Sequence, residues 1–123
     1  MGFIRKLKPF NRRRFPRIEP DNCLEYTCSF SEGGKQIKIT VDILDISEGG
    51  MLLITGDNKI PMDAEIVVEF QFPGKSEKNQ IKAEVVRTYR REHGKWWYSG
   101  VEFADRAQPS IKALFDFIVE KAA

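Results

Sequence analysis

Four arginines, Arg12, Arg13, Arg14 and Arg17, stand in the seven-residue stretch NRRRFPR at residues 11–17. A guanidinium is planar and permanently charged. It pairs bidentately with a phosphate or with guanine O6 and N7, and its plane stacks on bases. Pro16 disfavours helix at Phe15 and pushes that residue toward an extended form. In an extended chain Arg13 and Arg17 share a face, separated by up to about 13 Å at roughly 3.3 Å per residue. That separation suits a ligand with two well-spaced guanines or phosphates, while Arg14 between them faces away as a solvated charge. A second cluster is DISEGG, residues 45–50. The carboxylate of Asp45 offers two coplanar acceptors for the N1–H and N2–H₂ edge of guanine. Ser47 adds a small hydroxyl, and Gly49 and Gly50 let the backbone turn and approach a ligand with no Cβ in the way. Taken singly neither cluster is specific. Any basic arm contains an R-x-x-x-R, and an Asp-Ser-Gly turn between two strands is common.

No other part of the chain proposes chemistry. The single histidine, His93, lies in REHG with no evident nucleophile beside it, and there is no Walker-type phosphate loop and no H-E-x-x-H. Cys23 and Cys28 are five apart, so on a strand they face opposite sides and cannot easily bridge. With one histidine they are too few for a zinc site. They read as plain strand residues in a reducing cytoplasm. A non-enzymatic binding module, with no metal and no cofactor, is the expectation. Charge is distributed unevenly: residues 1–17 hold seven bases and no acid, which leaves thirteen bases and eighteen acids for the rest. A general nucleic-acid binder spreads basic charge over a face of its fold. Here it is gathered in one arm.

The elements that must position these residues follow from periodicity. At 123 residues the chain is one domain with room for a core. No apolar run approaches the roughly 20 residues of a membrane span, and the start lacks a secretory h-region. Lys6 also breaks the myristoylation pattern that Gly2 would open. CLEYTCSF places Leu24, Tyr26, Cys28 and Phe30 on one face, SEGGK turns, and QIKITVDI places Ile37, Ile39, Val41 and Ile43 on one face. Asp45 follows Ile43 by two, so strict alternation aims it at the core face unless the strand ends or bulges there. After the Gly49–Gly50 break comes MLLI, then a loop over residues 55–63. AEIVVEFQF aligns Ile66, Val68, Phe70 and Phe72; QIKAEVVRTY aligns Ile81, Ala83, Val85, Arg87 and Tyr89. In KWWYSGVEF, Trp97, Val101 and Phe103 share a face from which Trp96 and Tyr98 point away. Strands in this number with short turns predict an antiparallel barrel or sandwich. The tail changes period: Ile111, Leu114, Phe115, Ile118, Val119 and Ala122 form a helical stripe opened by Pro109, a face for packing on the barrel.

The order R-x-x-x-R arm, strand-rich chain, D-x-S-x-x-G, then GVEF resembles the PilZ domain family. RRFPRI at 13–18, DISEGG at 45–50 with the MLL that follows, and SGVEF at 99–103 carry the resemblance, which covers the chain from about residue 12 to the C-terminal helix. It implies a mainly β fold: a six-stranded antiparallel barrel (residues 19–123) with a C-terminal helix at about 108–122, preceded by a flexible basic arm, residues 1–18. The implied function is a bacterial, cytoplasmic receptor for the second messenger cyclic di-GMP. Arg13 and Arg17 would wrap the ligand, Asp45, Ser47 and Gly50 would supply the opposing surface, and Arg12 would stack on an outer guanine of a stacked ligand dimer. Ligand-driven ordering of the arm would change the surface shown to an unidentified downstream protein. Two rivals remain. One is a single-stranded nucleic-acid-binding barrel using the arm and the Trp96/Tyr98 face, disfavoured by the net acidic body. The other is a PilZ-fold adaptor that binds no nucleotide, disfavoured by the intact signature positions.

Overall fold

A computed structural model describes residues 24–90 and 94–122. Six strands, β1 (Tyr26–Glu32), β2 (Lys35–Ile46), β3 (Gly50–Gly56), β4 (Glu65–Phe70), β5 (Asn79–Arg90) and β6 (Trp97–Phe103), precede one helix, α1 (Pro109–Ala122). All neighbouring strands are antiparallel, and the order β1-β2-β3-β6-β5-β4 closes through β1 and β4 into a barrel. Closure leaves the barrel without a free edge. The β1–β2 hairpin turns on Gly33 and Gly34, at φ 60° and 81°, between the paired Glu32 and Lys35. A two-residue turn with both central φ positive matches the right-handed twist of the strands it joins, which is why glycine stands at both positions.

Alternation fills the interior as period two requires. Tyr26, Cys28 and Phe30, then Val41, Met51, Leu53, Ile66, Val68, Phe70, Ile81, Ala83, Val85, Val101 and Phe103 are buried in one cluster. The same cluster takes in Ile111, Leu114 and Ile118 of α1, so the helix packs its stripe on the barrel. Gln108 fixes where it begins. Its side-chain amide pairs with the Lys82 backbone like one more rung of the ladder, accepting from Lys82 N at 2.8 Å and donating to Lys82 O at 2.9 Å. Val119 departs from the expected stripe: it is 45% exposed, whereas Phe117 is half-buried and sets its ring 5.2 Å from that of Phe72. Phe72 reaches the core from beyond the end of β4, which stops at Phe70.

Two departures from strict alternation matter for the outer surface. In β2 the register shifts between Ile43 and Asp45, making Leu44 an extra residue, and β5 shifts likewise between Val85 and Arg87 around Val86. A bulge of this kind carries the residues beyond it to the opposite face of the sheet. Arg87 and Tyr89 therefore do not continue the core face of Ile81, Ala83 and Val85, contrary to the alternation read from sequence. Thr88 turns inward instead and donates its hydroxyl to the Ile60 carbonyl at 2.8 Å. Among the described residues no helix is long and apolar enough to cross a membrane.

Candidate functional site

The DISEGG segment sits at the end of β2 and the start of β3. Beyond the bulge, Asp45 pairs with Leu52 and Ile46 with Met51. Met51 and Ile46 belong to the core, so Asp45 and Leu52 face outward. The extra residue resolves the question of where Asp45 points. Asp45 is nonetheless fully buried, as is Ile46. Gly50 pairs across to Glu102 on the outward-facing side of β6.

The turn itself is held by its own polar groups. Ser47 N–H donates to the Gly50 carbonyl at 2.9 Å, and Gly49 N–H donates to Ser47 Oγ at 3.3 Å. Phe103 N–H donates to the Gly49 carbonyl at 3.0 Å, anchoring the turn to the end of β6. The Ser47 hydroxyl thus acts as an acceptor within its own turn. Among the described glycines, positive φ occurs at Gly33, Gly34, Gly56 and Gly74, and neither Gly49 nor Gly50 is among them. Both glycines are buried, Gly49 where the turn meets the end of β6.

The ladder extends this outer face sideways. Leu52 lies opposite Gly100, and Gly100 opposite Arg87. Gly100 contributes no side chain, so a strip of flat backbone separates Leu52 from Arg87. In the next row, Ile54 faces Tyr98 and Tyr98 faces Tyr89. The two tyrosine rings stack at 5.4 Å with an interplanar angle of 14°, and the Arg87 guanidinium lies 4.9 Å from the Tyr89 ring centre. Leu44, Val86, Tyr89 and Tyr98 pack against the buried Leu52 as a second cluster, separate from the core. The barrel therefore carries an apolar, aromatic outer patch bordered by a carboxylate at one side and a guanidinium at the other. Flat aromatic faces flanked by opposite charges match the needs of a purine nucleotide.

Asp45, Ser47 and Gly50 are brought together in one turn. Arg12, Arg13 and Arg17 lie outside the described residues, and so does Cys23. Sequence reasoning placed Tyr98 outward but missed Tyr89 and Arg87, because the Val86 bulge that turns them leaves no mark in a run of apolar and β-branched residues. Cys28 is buried in the core, where desolvation pushes its thiol up to about 12. Among the described residues no group of three or more His, Cys, Asp or Glu could hold a metal ion.

The closed antiparallel barrel thus carries the DISEGG turn at the junction of β2 and β3, with Asp45 on the outward-facing side of the wall. The chain belongs to the PilZ domain family, whose model matches residues 11–120 and so spans both the arginine stretch and the helix. In structure it is similar to the PilZ domain with c-di-GMP of YcgR from Escherichia coli. That similarity is at 14% identity with a TM-score of 0.48, over 78% of this chain and 79% of the other. No curated protein matches the chain in sequence.

Proposed function

We propose that this protein is a receptor for cyclic di-GMP that works by binding rather than by catalysis. The observation that carries the reading is the outward placement of Asp45 by the β2 bulge, inside a signature turn of a PilZ-family chain and one row from the stacked tyrosines. In this reading Asp45 accepts from the guanine edge, Ser47 and Gly50 shape the approach, and Tyr89 offers a ring on which a base stacks. Arg13 and Arg17 bring guanidinium to the ligand's phosphates and guanines, and Arg12 stacks on the outer guanine of a ligand pair. Residues 1–18 then act as an arm that orders on binding. Ordering about ten residues costs on the order of 10 kcal/mol of backbone entropy. Charge-assisted contacts at roughly 1.5–3 kcal/mol each, together with stacking, offset that cost. The ordered arm presents a new surface to a downstream protein in a bacterial cytoplasm.

Titration calorimetry with cyclic di-GMP tests the proposal. Wild type should bind saturably, and Arg17→Ala should lose at least about tenfold in affinity, about 1.4 kcal/mol. Heat-silent titration of the folded wild type would end the receptor reading. Unchanged affinity in Arg17→Ala would remove the arm from it.

A further inference from the structure

Both tryptophans of the chain stand side by side at one end of the barrel. Trp97 opens β6, paired with Gly56 of β3 and Arg90 of β5. Lys59 Nζ lies 5.0 Å from the Trp97 ring centre and Arg90 Cζ lies 5.1 Å from it. The neighbouring Trp96 is 52% exposed and, with Gly94, Lys95 and Tyr98, lines a shallow cavity of about 280 Å³. Lys59, Arg90 and Lys95 are all exposed. The ion pairs between described residues, Lys38–Glu69 and Lys112–Asp116, lie elsewhere, and exposed Asp57 in the Lys59 loop forms none with these cations.

Two cations thus lie over the half-buried Trp97 ring and a third, Lys95, adjoins the exposed Trp96. None of them is paired with a carboxylate among the described residues, on a body whose described residues carry twelve bases and fifteen acids. Cations held over an aromatic face keep their N–H groups turned outward and lose less freedom when they pair. The corner is complementary to carboxylates flanking an apolar side chain. A polyphosphate chain running beyond it would meet described residues that are net acidic. A closed barrel offers no edge for strand addition, so a partner must be held by side chains.

We propose that this corner docks an acidic, aromatic-bearing segment of a partner protein, with carboxylates on Lys59, Arg90 and Lys95 and an apolar side chain over Trp96. This surface adjoins the nucleotide face at Tyr98 but goes beyond it, and the docking does not depend on nucleotide binding. Intrinsic tryptophan emission reports this corner alone, which gives a direct assay. The full chain is titrated with an unlabelled peptide of repeating Glu-Phe units, with a Lys-Phe peptide and an oligo-dT strand in parallel. The Glu-Phe peptide should give a saturable emission shift that weakens with salt. The Lys59→Gln/Arg90→Gln pair should lower affinity roughly tenfold, as loss of two exposed charge pairs and their ring contacts implies. Its urea midpoint should fall only modestly, through the two lost ring contacts, and its calorimetric titration with cyclic di-GMP should stay at the wild-type value. Lys95→Gln, at an exposed position, supplies a second variant that should weaken the peptide if the pair compromises folding. The proposal would be overturned by no saturable shift, by equal binding of the Lys-Phe peptide, or by unchanged affinity in both variants. Tighter binding of oligo-dT than of the Glu-Phe peptide would overturn it in favour of a nucleic-acid surface.

Discussion

Replacing Tyr89 by leucine separates recognition from mere cover on the outer face. The Tyr89 ring stacks on Tyr98 at 5.4 Å and carries Arg87 at 4.9 Å, while its body packs over Leu52. Leucine keeps much of the apolar cover but removes both π interactions. An aromatic pair contributes about 0.5–1.5 kcal/mol beyond its buried area, and an exposed cation–π contact about 0.5–1 kcal/mol. Folding stability should therefore fall by about 1–2.5 kcal/mol. A base stacked on an aromatic ring contributes about 1–3 kcal/mol, so affinity for cyclic di-GMP should fall by roughly 5- to 150-fold. Urea unfolding measures the first quantity and calorimetry, run where both proteins are fully folded, the second. Tyr89→Phe keeps the ring and should lie near wild type in both. If Tyr89→Leu loses stability as calculated yet binds the nucleotide as tightly as wild type, the tyrosine pair only covers Leu52 and the stacking role is refuted.

Two further outcomes concern the scaffold. Leu114 of α1 is fully buried, so Leu114→Ala should cost about 2.7–5 kcal/mol in urea unfolding. Val119→Ala, at a position 45% exposed, should cost less than about 1 kcal/mol, and equal losses would deny that the helix packs by its Ile111–Leu114–Ile118 face. Burial raises the Cys28 thiol from 9.0 to about 12, so its contribution to stability is complete below the unfolded value and is lost as pH rises toward the folded one. Cys28→Ala should accordingly show a shallower fall in urea midpoint than wild type between about pH 9 and pH 11, and parallel curves would contradict the burial argument.

Much of the frame is legible in the letters because it rests on local rules. Alternation at Tyr26, Cys28 and Phe30, or at Ile66, Val68 and Phe70, states both strand and inner face, since one side of a barrel wall must be apolar. Gly33-Gly34 names its turn because two successive positive φ values exclude most other residues. The helix is legible from its change of period, though Val119 and Phe117 exchange roles. The stripe on a helix is wide, and which flank is covered depends on where Phe72 stands. The bulges are not legible. Leu44 between Ile43 and Asp45, and Val86 beside Val85, are apolar residues in apolar runs, and a single inserted residue has no composition of its own.

The sequence alone determined the signature residues, their order, the number of strands and the concentration of positive charge ahead of them. Those are properties of one chain segment at a time. The tertiary structure alone decided that Asp45 faces outward, that Tyr89 joins Tyr98 beside it, and that Lys59 and Arg90 meet at Trp97. Each of these depends on which residue of another strand stands opposite. Register is set by ladder hydrogen bonds summed around a closed barrel, where one extra residue reverses every side chain beyond it.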